Sequence, residues 1–239
     1  MNLNNFVVDR IIRAVGKSKE DEVLFAINQV TNASLNVTSE TAEAVDALGT
    51  PIAIFNRAKT AEFSAENALF DLNLMATQAG TKKVDGTVVA PAFDIVEGGV
   101  LKHAPIDADA VKFYNVNGDG SIGAEIERTG ISIEGTTVTG LDAEAQVMAV
   151  YEYNADNAVA VINSATEFPK ACELVLEVLG CDVCNQEELI YAYLIFPNFK
   201  ISPDFDWSIA TDGAHPFSGR AMQNYCDAKK ELYRLIIVE

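Results

Sequence analysis

The chain has only two histidines, His103 and His215, and a single tryptophan, Trp207. No serine sits in a nucleophile-elbow pattern, and neither an H-E-x-x-H helix nor a phosphate-binding loop occurs. A cysteine with a distant histidine is no signal of nucleophilic catalysis by itself. The carboxylates are abundant but scattered, so no acid–base pair stands out and no catalytic residue is assigned. Trp207, in an Asp-rich segment, reads as a packing anchor.

Cysteine is also sparse, at four: Cys172, Cys181, Cys184 and Cys226. Cys181-x-x-Cys184 is half of a zinc ribbon whose second close pair is missing. Cys172 and Cys226 complete a tetrahedral thiolate site only if the fold brings them together; otherwise all four read as reduced, buried thiols. No cofactor or metal ligand is assigned. Long apolar runs are lacking too. Leu235 to Val238 is far short of the roughly twenty residues that span a bilayer, so no membrane anchor is expected. The first residues lack the charged start, apolar block and cleavage site of a signal peptide, which predicts a product made in a cytoplasm. Without secretion, the glycosylation patterns at Asn32-Ala33-Ser34 and Asn36-Val37-Thr38 carry no meaning.

Basic residues are few: 17 against 35 acidic ones, for a formal net charge of −18. Nucleic acid is held mainly by cations that displace counterions, so this balance argues against tight binding to it. It leaves open a solvated acidic surface, or an acidic channel that repels phosphates and lets DNA slide through.

What is present is enough for one large or two small domains, 239 residues with 49% hydrophobic and 22% charged. The segment Gly49 to Gly80 organises the rest. Ile52, Ile54 and Phe55 predict a strand, Asn56-Arg57 a turn, and Lys59 to Ser64 a second strand. Ser64 then fits a helix N-cap, with Glu66 in the first turn, Leu69, Leu72, Ala76 and Ala79 at helical spacing, and Gly80 as the stop.

Before this unit, Val8, Ile11, Ile12 and Val15 fit either a helix or a strand, VLFAINQV and SLNV fit strands, and Thr41 to Leu48 fits a loop or one helical turn. After it come two strand-like pieces around Pro91 and a run of short strands from about Val100 to Tyr153, punctuated by turn residues. Strands follow over Ala158 to Asn163, Ala171 to Val178 and Leu189 to Phe196, the last stopped by Pro197. Ala221, Tyr225, Ala228 and Leu232 suggest a helix before a closing LIIV strand. The pattern predicts a mainly antiparallel β-sandwich or barrel with two or three flanking helices, and no internal repeat or low-complexity segment is evident.

Gly118 to Gly123 matches the dinucleotide pattern G-x-G-x-x-G, but Ala124 to Ile133 alternates as strand where that site needs a helix, so a glycine hairpin turn is expected. Asn115, Asn117, Asp119, Gly120 and Ser121 partly fit a calcium loop. Its closing bidentate Glu is replaced by Ile126, flanked by Glu125 and Glu127.

Three phrases together resemble the tail tube proteins of long-tailed bacteriophages, particularly contractile-tailed ones. They are VLFAINQVTNASLNVTSET, GTPIAIFNRAKTAEFSAENALFDLNLMATQAG, and VMAVYEYNADNAVAVINSATEFPKACELVLEVLG with the following ELIYAYLIFPNFKISPDFDWSI. The likeness is one of order and texture over about two-thirds of the chain. It implies a β-sandwich or barrel flanked by a helix, assembled into hexameric rings that stack into a virion tail tube whose lumen passes genome DNA. Tail sheath, baseplate and tail terminator proteins are the implied partners, with assembly in the host cytoplasm. On this reading residues 1–99 and 154–239 form the tube-like domain, and 100–153 an inserted or outward-facing β segment. Gln29 to Thr41 and Lys200 to Gly219 are expected to order on assembly. A capsid or decoration protein and a metal-binding β module are the alternatives.

Overall fold

The computed structural model describes residues 5–142, 145–211, 213–225 and 228–238. Strands account for 60% of the protein and helix for 5%, in antiparallel sheets. The chain divides into two compact units, one of residues 1–83 and 161–239 and the other of Val84–Ala160. The second unit is wider than the 100–153 segment set apart above, because its outer strands β5 (Val84–Val96) and β10 (Val147–Ala160) pair with each other over almost their whole length.

The first unit is an eight-stranded sheet in the order β2-β1-β11-β12-β13-β4-β3, with β14 also paired to β12. These strands are β1 (Phe6–Lys17), β2 (Val23–Ile27), β3 (Val30–Val45), β4 (Pro51–Asn67), β11 (Ala171–Asp182), β12 (Asn185–Ile201), β13 (His215–Ala221) and β14 (Arg234–Val238). One face curls around a core that takes Ala14, Phe25, Phe63, Leu174, Phe196 and Phe217 from six different strands. Alternation drives this arrangement: in β11, Cys172, Leu174, Leu176 and Val178 are buried at every second position. The segment that fitted helix or strand at Val8 to Val15 is β1, as its β-branched residues favour.

Helix α1 (Leu72–Ala79) has its N-cap seven residues after the expected Ser64, since Ser64 and Glu66 are ladder residues between β3 and β13. The cap is Asp71, whose carboxylate accepts the Leu74 amide at 2.7 Å. The stop at Gly80 is as expected. Its φ of 74° and the Phe168 backbone 2.4 Å from where a Cβ would stand both require glycine.

Several sequence expectations fail for one reason, that ladder pairing overrides local signals. Asn56-Arg57 is no turn but lies inside β4, and Thr41–Val45 belongs to β3 rather than to a loop or helical turn. The hairpin instead reverses at Asp46–Thr50, where the Asp46 carboxylate accepts the amides of Leu48 and Thr50 at 2.9 and 2.8 Å and Gly49 adopts φ 84°. The pieces around Pro91 are one strand. Strand β12 runs through Pro197, which falls between the stretches paired to β14 (Tyr191–Ile195) and β13 (Phe199–Ile201), within a bulge of β12 itself opposite Glu173. The helix expected near Ala221 to Leu232 is absent from the described residues. Ala221 ends β13, and Tyr225 is 88% exposed, so that spacing marks no buried face. Among the described residues α1 is thus the single α-helix, not one of two or three. The closing strand is β14.

The second unit holds a four-stranded sheet, β5-β10-β6-β7, with β6 (Lys112–Val116) and β7 (Ile122–Ile126), and a small hairpin of β8 (Ser132–Glu134) and β9 (Thr137–Thr139). A 3₁₀ turn spans Ala108–Ala110. Phe113, Val147, Ala149 and Tyr151 centre its core. Asp94 is buried there because it accepts the Tyr151 hydroxyl proton and the Lys102 amide, the latter at 2.9 Å. Burial and this carboxylate push the Tyr151 phenol up to about 12.

Candidate assembly surface

Strand β3 is the terminal strand of its sheet, and among the described residues it pairs with β4 alone. Natural sheets guard such edges with charge, proline or bulges, because a bare ladder templates another strand. Here only a bulge at Asn32-Ala33 interrupts the base, and Ser34 to Ser39 carries neither charge nor proline. Gln29 to Thr41, expected to order on assembly, is already strand from Val30 onwards. What it lacks is a second neighbour.

The β3–β4 hairpin has two halves. Near the core, β13 covers β4 from Ala61 to Asn67, and Ala61, Phe63 and Ala65 point inward. The Thr38 and Thr60 hydroxyls meet at 2.6 Å at the boundary. Two residues on, Ala58 is an extra residue in β4 between the Ser39↔Lys59 and Glu40↔Arg57 pairs, and a bulge of this kind bends a strand and re-aims its faces. Beyond it no strand covers the hairpin among the described residues. Ile52 is 71% exposed, Phe55 56% and Leu48, at the tip, 92%. At about 3.4 Å per residue this arm is roughly 25 Å long. Phe55 pairs with Ala42 and Ala53 with Ala44 on one face, and Ile54 with Glu43 on the other.

The motifs that carried chemical readings fall elsewhere. Cys172 and Cys181 lie nine residues apart on the single strand β11, roughly 30 Å at about 3.3 Å per residue, so Cys172 does not reach the Cys181–Cys184 pair within one chain. Cys226 lies outside the described residues. Burial pushes the Cys172 thiol up to about 11, aided by the Glu173 charge, and thereby suppresses its reactive thiolate. Gly118 to Gly123 spans the β6–β7 turn and opens β7, not a helix, and so offers no helix N-terminus to a pyrophosphate. In the same turn the Asp119 carboxylate is held by the Ser121 hydroxyl and amide at 2.6 and 3.0 Å, which lowers its pKa, and Ile126 packs against the core. Among the described residues no three His, Cys, Asp or Glu side chains gather as a metal site.

Both histidines are packing residues. His103 stacks on Tyr153 with centroids 3.9 Å apart. His215 is fully buried, with Nε2 at 2.8 Å from Gln78 Oε1 and Nδ1 accepting the Asp71 amide at 3.3 Å, a pattern that requires neutral imidazole. Desolvation lowers its pKa, and the Asp71 charge opposes that only partly. Phe70 stacks on both His215 and Trp207, which makes Trp207 the packing residue expected of it. A cleft of about 630 Å³ lies along Ser34, Glu62, Ser64 and Arg220, with Arg220 paired to Glu62. Neither histidine nor cysteine lines it.

The fold is that of a β-rich protein whose β3 edge is uncovered among the described residues. A comparison of family patterns then places the chain: it belongs to the YomU/Tube protein family, whose model matches residues 6–234. It is therefore a structural tube protein of the bacteriophage kind, as the sequence resemblance implied. A comparison with curated proteins finds no match.

Proposed function

We propose that the protein is a non-enzymatic tail-tube subunit. Copies join edge to edge into hexameric rings, rings stack head to tail, and genome DNA passes through an acidic lumen during ejection without being held. The observation that carries this reading is the β3–β4 hairpin, whose edge lacks a neighbour and whose apolar arm lacks a cover. An arm of this kind is stable only as an element awaiting other copies, because exposed flat strands otherwise aggregate. The charge of −18 supports the lumen, since carboxylates facing DNA prevent it from sticking. Tail sheath, baseplate and tail terminator are the partners at the tube's outer face and ends, with assembly in the host cytoplasm.

Negative-stain electron microscopy of concentrated protein tests this directly. Hollow rods of uniform diameter are expected, and truncating the arm between Ser39 and Lys59 is expected to abolish them. Particles that stay small at every concentration but bind capsids would instead make the chain a decoration protein.

A further inference from the structure

Within the first unit, a pocket of about 510 Å³ opens between the turn after β1 and the start of β11. Leu24, Phe168 and Pro169 give it apolar walls, and Lys19, Lys170 and Lys200 stand around it with one acid, Glu20. Three of the chain's 17 basic residues thus stand at one opening, against 35 acidic residues in all. The Lys200 ammonium donates to the Pro169 carbonyl, whereas Lys19 and Lys170 form no ion pair among the described residues.

The arm's tip has the opposite character. Glu43 to Pro51 contains Glu43 and Asp46 and no cation. The Asp46 turn is closed by its own hydrogen bonds, including Asp46 N–H to the Thr50 carbonyl at 2.9 Å, so Leu48 is presented on a pre-organised loop. Such loops lose little entropy on docking.

The register places tip and pocket at opposite ends of the strand direction. Strand β13 runs from His215, beside Asn67, to Ala221, beside Ala61, and so heads toward the arm. Strand β12 runs against it and reaches Lys200, opposite Arg220, at the end away from the tip, where Ala171 pairs with Lys200. A knob at one end and a socket at the other form a heterologous contact, which builds a filament where its rotation does not close into a ring.

We infer that the pocket rimmed by Lys19, Lys170 and Lys200 receives the β3–β4 tip of a second copy, with Leu48 against Leu24 and Phe168 and Glu43 facing the lysines. This rests on the tube reading and names the seat of its ring-to-ring contact. The test places a photo-reactive benzoylphenylalanine at position 48 of the full chain and maps the cross-links by mass spectrometry. An intermolecular link to the peptides holding Lys19–Leu24 or Phe168–Lys170 is expected. Lys19→Glu with Lys170→Glu is expected to cut its yield roughly tenfold, and adding Glu43→Lys to restore much of it, as charge reversal at an interface rim does. Links elsewhere, no intermolecular link, or a yield indifferent to charge reversal overturn the assignment. Rods with links elsewhere sink the pocket but leave the tube; links into the pocket without rods keep the contact and sink the tube.

Discussion

The two halves of the β3–β4 hairpin share one ladder and similar apolar content, yet only one of them is buried. Phe63, at 3% exposure, contacts Phe196, Phe199 and Phe217 with ring centroids 5.7 to 6.5 Å apart. Phe55, eight residues earlier on the same strand, touches no other ring among the described residues. Hydrophobicity therefore does not distinguish core from surface here; coverage does, and coverage ends at the Ala58 bulge. The inner half stabilises the subunit, whereas the outer half leaves its apolar area exposed.

The sharpest way to break that contrast is to truncate each phenylalanine in turn. Phe63→Ala is expected to cost about 3–5 kcal/mol, the range for a buried aromatic, and to lower the denaturation midpoint visibly. Phe55→Ala is expected to change monomer stability by no more than about 0.5 kcal/mol, as exposed positions do, while sharply reducing rod formation. Equal losses of stability would mean that the arm is packed in the free subunit.

Acid sharpens the same contrast. The inner half is joined at Asn67 to β13 beside His215, whose folded pKa lies below the ordinary 6.5. The unfolded imidazole takes up its proton first, so this contribution to stability is complete above about pH 6.5 and is lost as pH falls below that value. Melting experiments between pH 7.5 and 5 are expected to show the decline, and His215→Gln to flatten it. Hydrogen exchange in Glu40–Arg57 is expected to show no matching change once its intrinsic pH dependence is removed.

How far this was legible in the sequence also divides at the bulge. The core strands were readable because burial imposes a period of two, as in β11, and Gly80 because a left-handed stop restricts the residue type. The arm was misread. Ile52-Ala53-Ile54-Phe55 has no polar alternation to reveal two open faces, and the polar Asn56-Arg57 imitates a turn. Ser64 imitated an N-cap, and only the neighbouring strands exclude that role. The pocket left no linear trace, since Lys19, Lys170 and Lys200 come together through the β1–β11 and β11–β12 pairings.

The finest test removes the bulge itself. Deleting Ala58 puts Arg57 beside Lys59 and leaves the inner pairs from Thr60 onward unchanged. Side chains alternate with a period of two, so the loss of one residue turns the Pro51–Arg57 side chains to the opposite faces relative to the core. Ile52 and Ile54 exchange sides with Phe55, while Glu43 and Ala42 on β3 are unmoved, so the arm must also shift its register or its direction. None of these residues is covered in the free subunit, and the expected change in monomer stability is small, within about 1 kcal/mol. Assembly responds differently, because a contact between copies depends on which way the arm leaves the sheet. Rods are expected to vanish while circular dichroism and melting stay nearly native. If rods persist with their repeat unaltered, the arm does not join the copies, and its exposed apolar face must serve some other contact.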